Sequence, residues 1–591
     1  MTGSPVRSPL ARWPTLPLAW LAVAGLAVAV LTGGLLAAFA PSLSELYGLP
    51  PAEALVTAGL PAARVIAIGA AALGVGQLLL AAVLVPGEPG DLVSPAGYAA
   101  LRAARWCALT QAVASVAVAV LTVLENTGLP ASRVFTGGAA LVIGLEQIEP
   151  ATGWLIGGAL AAVLAGLAGW VLTWRGAVGL LVLALAGQLP SALTSATNAE
   201  RSHDIAGDAF ALHTLAALLW LGSTTAVLGH LARRGDRTSV VLRRHAAIAT
   251  WSLLVVGGSG LVSSAYALPP GDLLSSGFGR VVLLSAVALV ALAGLGHRLR
   301  RLAATGGSVG SAIRLLALEF GLLATAAALG TGLTRLIPPT ELSYQPSRYI
   351  YLIGYDLPAR FSALDLLWRW RLDLVFAPAA GLGVVLYLLA ARRLRRRGED
   401  WPRRYTLAWL AGCGLLLVAT SSGLGSYAPA MFSAHMVQHM LLATLAPALL
   451  VLGHGASLAR RAVAPSTERR LTSLLHSPAA RLASHPLIAW AAVGATLFGL
   501  YPTGLYAAIL QQHWAHLTMN AAIFGTGLAL FWSILGMSGG RRALPPIGQL
   551  VMIFAVMALH AAFAAWLLGQ PTPVAAEFYT ALGIVGDPLA D

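Results

Sequence analysis

Apolar runs long enough to cross a bilayer, about 20 residues each, recur from one end of this chain to the other. In hydrocarbon every backbone N–H and C=O must find an internal partner, and Ala/Leu/Val/Gly-rich runs do so only as helices. The expected fold is therefore all-α: a polytopic helical membrane protein embedded in a lipid bilayer. With 58% hydrophobic and only 10% charged residues among 591, a soluble globular chain is excluded. Spans are expected near 16–40, 63–85, 105–124, 151–173, 176–193, 209–232, 246–268, 279–297, 314–336, 372–391, 405–422, 431–453, 485–501, 513–535 and 545–569, about fifteen transmembrane helices by the length rule. Arg7 and Arg12 precede the run Leu16–Ala40, as in a signal peptide. That run is too long and has no clear cleavage site, so it reads as the first span, with the N-terminus cytoplasmic.

The net charge of +14 does not point to nucleic acid, because of where it lies. Every basic residue is an arginine, and the arginines sit in short loops between apolar runs, as topology determinants do. With the N-terminus inside, about 28 of them fall in inner loops and about 9 outside. The strongest inner signals are Arg233–Arg244, Arg298–Arg314, Arg392–Arg397 and Arg460–Arg481. Residues 337–371 carry prolines, tyrosines and charges that include Glu341, Arg348, Asp356, Arg360 and Asp365, and read as an extracytoplasmic connector between two membrane halves. The two cysteines, Cys107 and Cys413, lie in different spans and make neither a CxxC motif nor a disulfide framework. A soft-metal site would have to use His and Met.

Such residues cluster in MFSAHMVQHM, residues 431–440. Met431, His435 and His439 recur every four residues and so share one helix face, with Met436 and Met440 on a neighbouring stripe. Two imidazoles at i, i+4 can close on one ion, and thioethers beside them suit Cu(I). Histidines hydrogen-bonded across a helix interface would give the same pattern. His513 and His516 open a later span of the same orientation, with Asn520 continuing their face, and His560 lies in the outward half of the last visible span behind Met557. Three helices thus carry five histidines to similar depth on the outer side. In the first half, His203 and Asp204 lie in an outer loop, with Asp208 following and His213 near the outer end of the next span. That arrangement can attract and pass a cation inward, or simply be a solvated loop with a capping Asp. His230, His245, His297, His454, His476 and His485 fall at inner ends, mostly beside arginines, and read as interfacial, solvated side chains. Trp220 reads as packing.

Two family resemblances rest on these residues. From about Trp370 onward the chain resembles the CtaG-type assembly factors of caa-type cytochrome c oxidase, through RRLRRRGEDWPRR (392–404), SYAPAMFSAHMVQHMLL (426–442), LAPALLVLG (445–453), HWAHLTMN (513–520) and ALHAAFA (558–564). Residues from about 195 to 336 are similar to the CopD copper-resistance and copper-uptake family, through HTLAALLWLG (213–222), Gly279–Arg280 and EFGLLATAAALGTGLT (319–334). The organisation is then that of an actinobacterial CopD–CtaG fusion: N-terminal helices 1–195, a CopD-like domain 196–340, a connector 341–371 and a CtaG-like domain 372–591. The chain departs from these families at three places. Asn520 stands near a common family histidine, and Ser285 stands near a usual CopD lysine. The chain ends at DPLAD (587–591) where relatives continue into another span, so a missing last helix is expected.

The resemblance implies copper handling and oxidase assembly in the plasma (inner) membrane, with copper ion and cytochrome c oxidase subunits as partners and no enzymatic activity. His435, His439 and His516, with His560 or His513, would hold Cu(I), supplemented by Met436 or Met440. His203 and His213 would receive copper. Two other readings stay open: a haem-b oxidoreductase using His435 and His516 axially, and a membrane assembly chaperone whose histidines are merely packed. The chain has no P-loop, which argues against ATP-driven pumping.

Overall fold

The structure is a computed structural model. It describes residues 53–87, 91–128, 130–132, 136, 138–194, 203–333, 336, 338–341, 347–358, 362–535 and 544–583. The expected span 16–40 lies outside the described residues, as does the terminal DPLAD. The described residues divide into two compact units, one of residues 1–199 and 209–344, the other of residues 200–208 and 345–591.

The fold is all-α. Among the described residues thirteen helices are long and apolar enough to cross a membrane, and each coincides with an expected span. Those used below are α1 (Ala54–Leu79), α2 (Pro95–Thr127), α3 (Glu149–Leu167), α4 (Trp174–Ala186), α5 (His203–Ala232), α6 (Thr238–Ala267), α7 (Gly277–Thr305) and α8 (Val309–Leu333). There follow α9 (Phe376–Arg396), α10 (Arg403–Ser421), α11 (Phe432–Met440), α12 (Ala446–Leu452), α13 (Pro486–Phe498), α14 (His513–Leu535) and α15 (Pro546–Leu568). Several begin where a hydroxyl can take up an orphan N–H: Ser94 caps α2, Thr173 caps α4 and Ser276 caps α7.

The first unit packs α1, α2, α3 and α4 around a core that includes Leu78, Leu80, Leu101, Leu164 and Leu180. Gly76 of α1 meets Gly222 of α5 so closely that a Cβ at Gly76 would lie 2.1 Å from the Gly222 carbonyl oxygen. Only glycine permits that approach, the small-residue packing that membrane helices use in place of a hydrophobic drive.

In the second unit, α11 and α12 are parts of one span, Phe432–Ala462, interrupted by a π-helical turn at Leu441–Leu445. Pro447 supplies a local cause: it has no N–H to bond the Ala443 carbonyl, and its ring crowds that carbonyl, so the turn widens. Gly527 of α14 fits against the widened turn, where a Cβ would lie 2.3 Å from the Ala443 oxygen.

Three expectations change. The span expected at 485–501 is a helix of only 13 residues, α13. It stops at Gly499, and Pro502 with Gly504, the latter at φ +76°, prevents its resumption. An apolar helix at Gly138–Gln147, too short to have been read as a span, is present as well. His230 and His245, expected to be solvated, are buried, at 4% and 0% exposure.

Candidate metal centre

α11 places His435 and His439 one turn apart, and both are buried. The break after α13 delivers Tyr501 between them. Its hydroxyl is 2.8 Å from His435 Nε2 and 3.4 Å from His439 Nδ1. α14 brings His516 to a ring-centroid distance of 6.1 Å from His435, and α15 brings His560 to 6.2 Å from His439. The result is two imidazole pairs joined through one phenol, inside a core that also holds Tyr506, Phe563 and Met431.

The hydrogen bonds of these rings matter more than their proximity. His560 Nδ1 donates to the Val556 carbonyl at 2.9 Å, which leaves Nε2 as the lone-pair nitrogen. That nitrogen is buried and has no protein partner. The same holds for His435 Nδ1, His439 Nε2 and His516 Nε2. A buried polar atom without a partner costs about 1–3 kcal/mol, so four in one cluster need an explanation. A soft cation supplies one. With a metal–nitrogen bond of about 2 Å and a ring radius of about 1.2 Å, two imidazoles on opposite sides of one ion have centroids roughly 6 Å apart. A ring that donates its other N–H to a carbonyl, as His560 does, has the support that metal-binding imidazoles ordinarily show. The rings form two pairs and do not converge on one point: among the described residues no group of three or more His, Cys, Asp or Glu is disposed to hold a metal ion.

The remaining candidates are placed differently. His513 Nε2 lies 3.1 Å from Asp208 Oδ1. Met436 packs half-buried against the core, whereas Met440 is 43% exposed. His213 belongs to the first unit, with Nδ1 3.1 Å from the Ser259 hydroxyl. The side chain of His203 lies outside the described residues.

Beside the rings lies a small pocket whose lining includes Asp204, Asp208, Asp373, Arg371, His513, His516, Gln438 and Asn520 together with apolar side chains such as Leu352, Ile353 and Leu510. His516 belongs both to this wall and to the ring pairs. Asn520 Oδ1 and Gln438 Oε1 are also buried without a protein partner. Arg371 neutralises Asp204 through two bonds, of 2.7 and 2.5 Å. Asp208 is shared with His513, and Asp373 Oδ1 accepts from the Val375 and Phe376 N–H groups.

Burial pushes the Asp373 carboxyl up to about 6 from 3.8, against the pull of the Phe376 and Val375 N–H groups that its Oδ1 caps. A raised folded-state value means the folded chain holds this proton more tightly than the unfolded chain. That stabilisation is fully present below about 3.8 and is lost as pH rises through about 6. Asp373→Asn keeps the capping oxygen and removes the charge. Melting of detergent-purified protein is expected to show wild type losing more stability than the Asn variant between about pH 5 and about pH 8. Equal losses would contradict the assignment.

Sequence reasoning missed Tyr501, Gln438, Arg371 and Asp373. Tyr501 sits in LYPTG, where helical periodicity has stopped, and Gln438 stands directly before a histidine that drew the attention.

Fold and site define a polytopic membrane protein with a buried histidine cluster beside a pocket that holds three aspartates. Residues 385–591 match the Cytochrome c oxidase caa3 assembly factor (Caa3_CtaG) family. The chain is 30% identical over 556 residues to "Uncharacterized protein Mb0105" of Mycobacterium bovis, covering 91% of this chain and 81% of that one. "Uncharacterized protein MT0111" of Mycobacterium tuberculosis gives the same figures, and "Uncharacterized protein ML1998" of Mycobacterium leprae is 28% identical over 484 residues, 79% of this chain and 70% of that one. No solved structure matches. The chain belongs to the family of these mycobacterial proteins and carries, in residues 385–591, the domain of the caa3 oxidase assembly factors.

Proposed function

We propose that this chain acts in cytochrome c oxidase assembly in the plasma membrane, as a non-enzymatic factor that passes copper, as Cu(I), through the His435/His516 and His439/His560 pairs. The assembly role is supported by the family of residues 385–591. The copper reading is carried by one observation: four buried imidazoles, each with a ring nitrogen that the protein leaves unpartnered. Neutral imidazoles at two-ligand spacing hold Cu(I) without the grip of a closed thiolate site, which suits an ion that must move on. Asp208 and Asp373 draw the ion into the pocket, and His516 is the first ring it meets. His213 of the first unit acts as a receiving position for the ion. Met440, being exposed, is at most an accessory ligand, and His513 serves the pocket through Asp208.

The haem reading has less support. The Tyr506 ring lies 4.8 Å from that of His435, tilted by 38°, and Tyr501 bonds His435, so these side chains occupy the space a macrocycle would need.

The test is done in cells lacking the gene and complemented with the full chain. Wild type is expected to restore an oxidase with its full copper content. His435→Ala/His439→Ala is expected to leave the oxidase copper-poor, with partial rescue by added copper. Fully metallated oxidase from the variant would support the metal-free chaperone instead.

A further inference from the structure

One side of α9 carries a pattern that copper handling does not use. Tyr387, Ala391 and Leu394 are buried in a small core with Trp401, Leu458 and Ala462. On the other side Leu382, Val385, Leu386 and Leu389 are between 45% and 54% exposed. In a helix of bilayer length that stripe meets acyl chains. Arginines continue it. Val385, Leu389, Arg392, Arg393 and Arg396 follow one another at i, i+4, i+7, i+8 and i+11, which is one helix face. All three arginines are exposed.

The protein does not balance these charges. Among the described residues Arg392, Arg393 and Arg396 make no hydrogen bond or ion pair. Other arginines at span ends are engaged: Arg300 of α7 donates to Thr250 of α6 at 2.9 Å, Arg397 donates to the Arg461 carbonyl at 3.1 Å, and Arg461 pairs with Glu399 at 2.7 Å. Glu399 is thereby taken, which leaves Asp400 against three guanidiniums in the segment that follows α9. The dimensions fit one leaflet. The helix rises roughly 10 Å from Leu382 to Leu389 and roughly 10 Å more to Arg396. A leaflet has about 15 Å of hydrocarbon and about 5–8 Å of headgroup layer beyond it. An orientation signal needs charge in a loop but on no particular face. Here the charge stands where the acyl-facing stripe ends.

We propose that this face of α9 binds an anionic phospholipid, with an acyl chain along Val385, Leu386 and Leu389 and the phosphate held by Arg392 and Arg396, Arg393 standing beside them. Guanidinium N–H groups donate to phosphate oxygens in charge-assisted bonds. Long arginine side chains keep their stems on the apolar stripe while the charge reaches the headgroup layer. A phospholipid is the one molecule that meets both halves of the pattern, because its apolar chain and its anion are joined end to end at this spacing. The proposal is independent of the copper reading.

The test uses the full chain, purified in a nonionic detergent, stripped of lipid and titrated with phosphatidylglycerol or phosphatidylcholine, bound lipid being counted by native mass spectrometry. Wild type is expected to take up phosphatidylglycerol with a midpoint at least ten-fold below that for phosphatidylcholine. An arginine near an anionic membrane surface is worth roughly five-fold in affinity. Arg392→Gln/Arg396→Gln is therefore expected to raise the phosphatidylglycerol midpoint at least ten-fold and to leave that for phosphatidylcholine unchanged. Arg234→Gln/Arg237→Gln removes the same charge from the connection between α5 and α6 and is expected to bind as wild type does. Inorganic phosphate in excess is expected not to displace the lipid. Equal midpoints for the two lipids in wild type overturn the proposal without any variant. An unchanged phosphatidylglycerol midpoint in Arg392→Gln/Arg396→Gln overturns it too, as does an equal loss in Arg234→Gln/Arg237→Gln, which would make net charge the cause. Displacement by inorganic phosphate would replace the lipid with a free anion.

Discussion

Arg371→Ala is expected to lower stability by roughly 2–3 kcal/mol, somewhat less than the loss of one partner from a fully buried pair. The cost arises at Asp204. Its carboxylate is held by two guanidinium N–H groups, and the side chains of Arg371 and Asp204 are only 22% and 10% exposed. Removing the guanidinium leaves that carboxylate unpaired in a pocket that already contains Asp208 and Asp373. It also removes the cation lying 4.4 Å over the Tyr355 ring, although the bond from the Arg371 backbone N–H to the Ser421 carbonyl survives. Arg371→Lys is expected to recover only part, because an ammonium neither spans both carboxylate oxygens nor stacks as a planar group. Arg371→Ala/Asp204→Asn is expected to recover part by another route, since the orphaned charge is gone. Thermal melting of the four proteins in one detergent checks this. An Arg371→Ala protein that melts with wild type would contradict the pocket's electrostatics.

The fold was largely legible because each apolar run of bilayer length has only one way to satisfy its backbone. Where that reasoning failed, local chemistry intervened. α13 stops short because Gly499, Pro502 and Gly504 punctuate an otherwise continuous run. His245 looked solvated beside Arg243 and Arg244, yet Arg244 donates to the Val83 and Leu84 carbonyls, and His245 goes inward to Glu319. In the candidate site, the His435/His439 stripe follows from helical period alone. The pairing of His435 with His516 and of His439 with His560 does not, because it depends on how α11, α14 and α15 are rotated about their axes. His513 was read with the cluster from its spacing to His516, but its carboxylate partner Asp208 is 305 residues away and invisible to any local pattern.

His435→Ala/His439→Ala removes one ring from each imidazole pair, so neither pair can hold an ion from two sides. It also frees the Tyr501 hydroxyl that links the pairs. Cu(I) affinity is expected to fall at least ~100-fold, beyond what loss of a supporting contact alone costs. Met440→Ala is expected to stay near wild type, because that thioether faces outward. The decisive measurement is therefore a Cu(I) competition titration of the detergent-purified full chain against a chromophoric chelator. The account predicts tight binding by wild type and Met440→Ala, and its collapse in His435→Ala/His439→Ala. Unchanged affinity in the double-histidine variant, or no Cu(I) uptake by wild type, would contradict it.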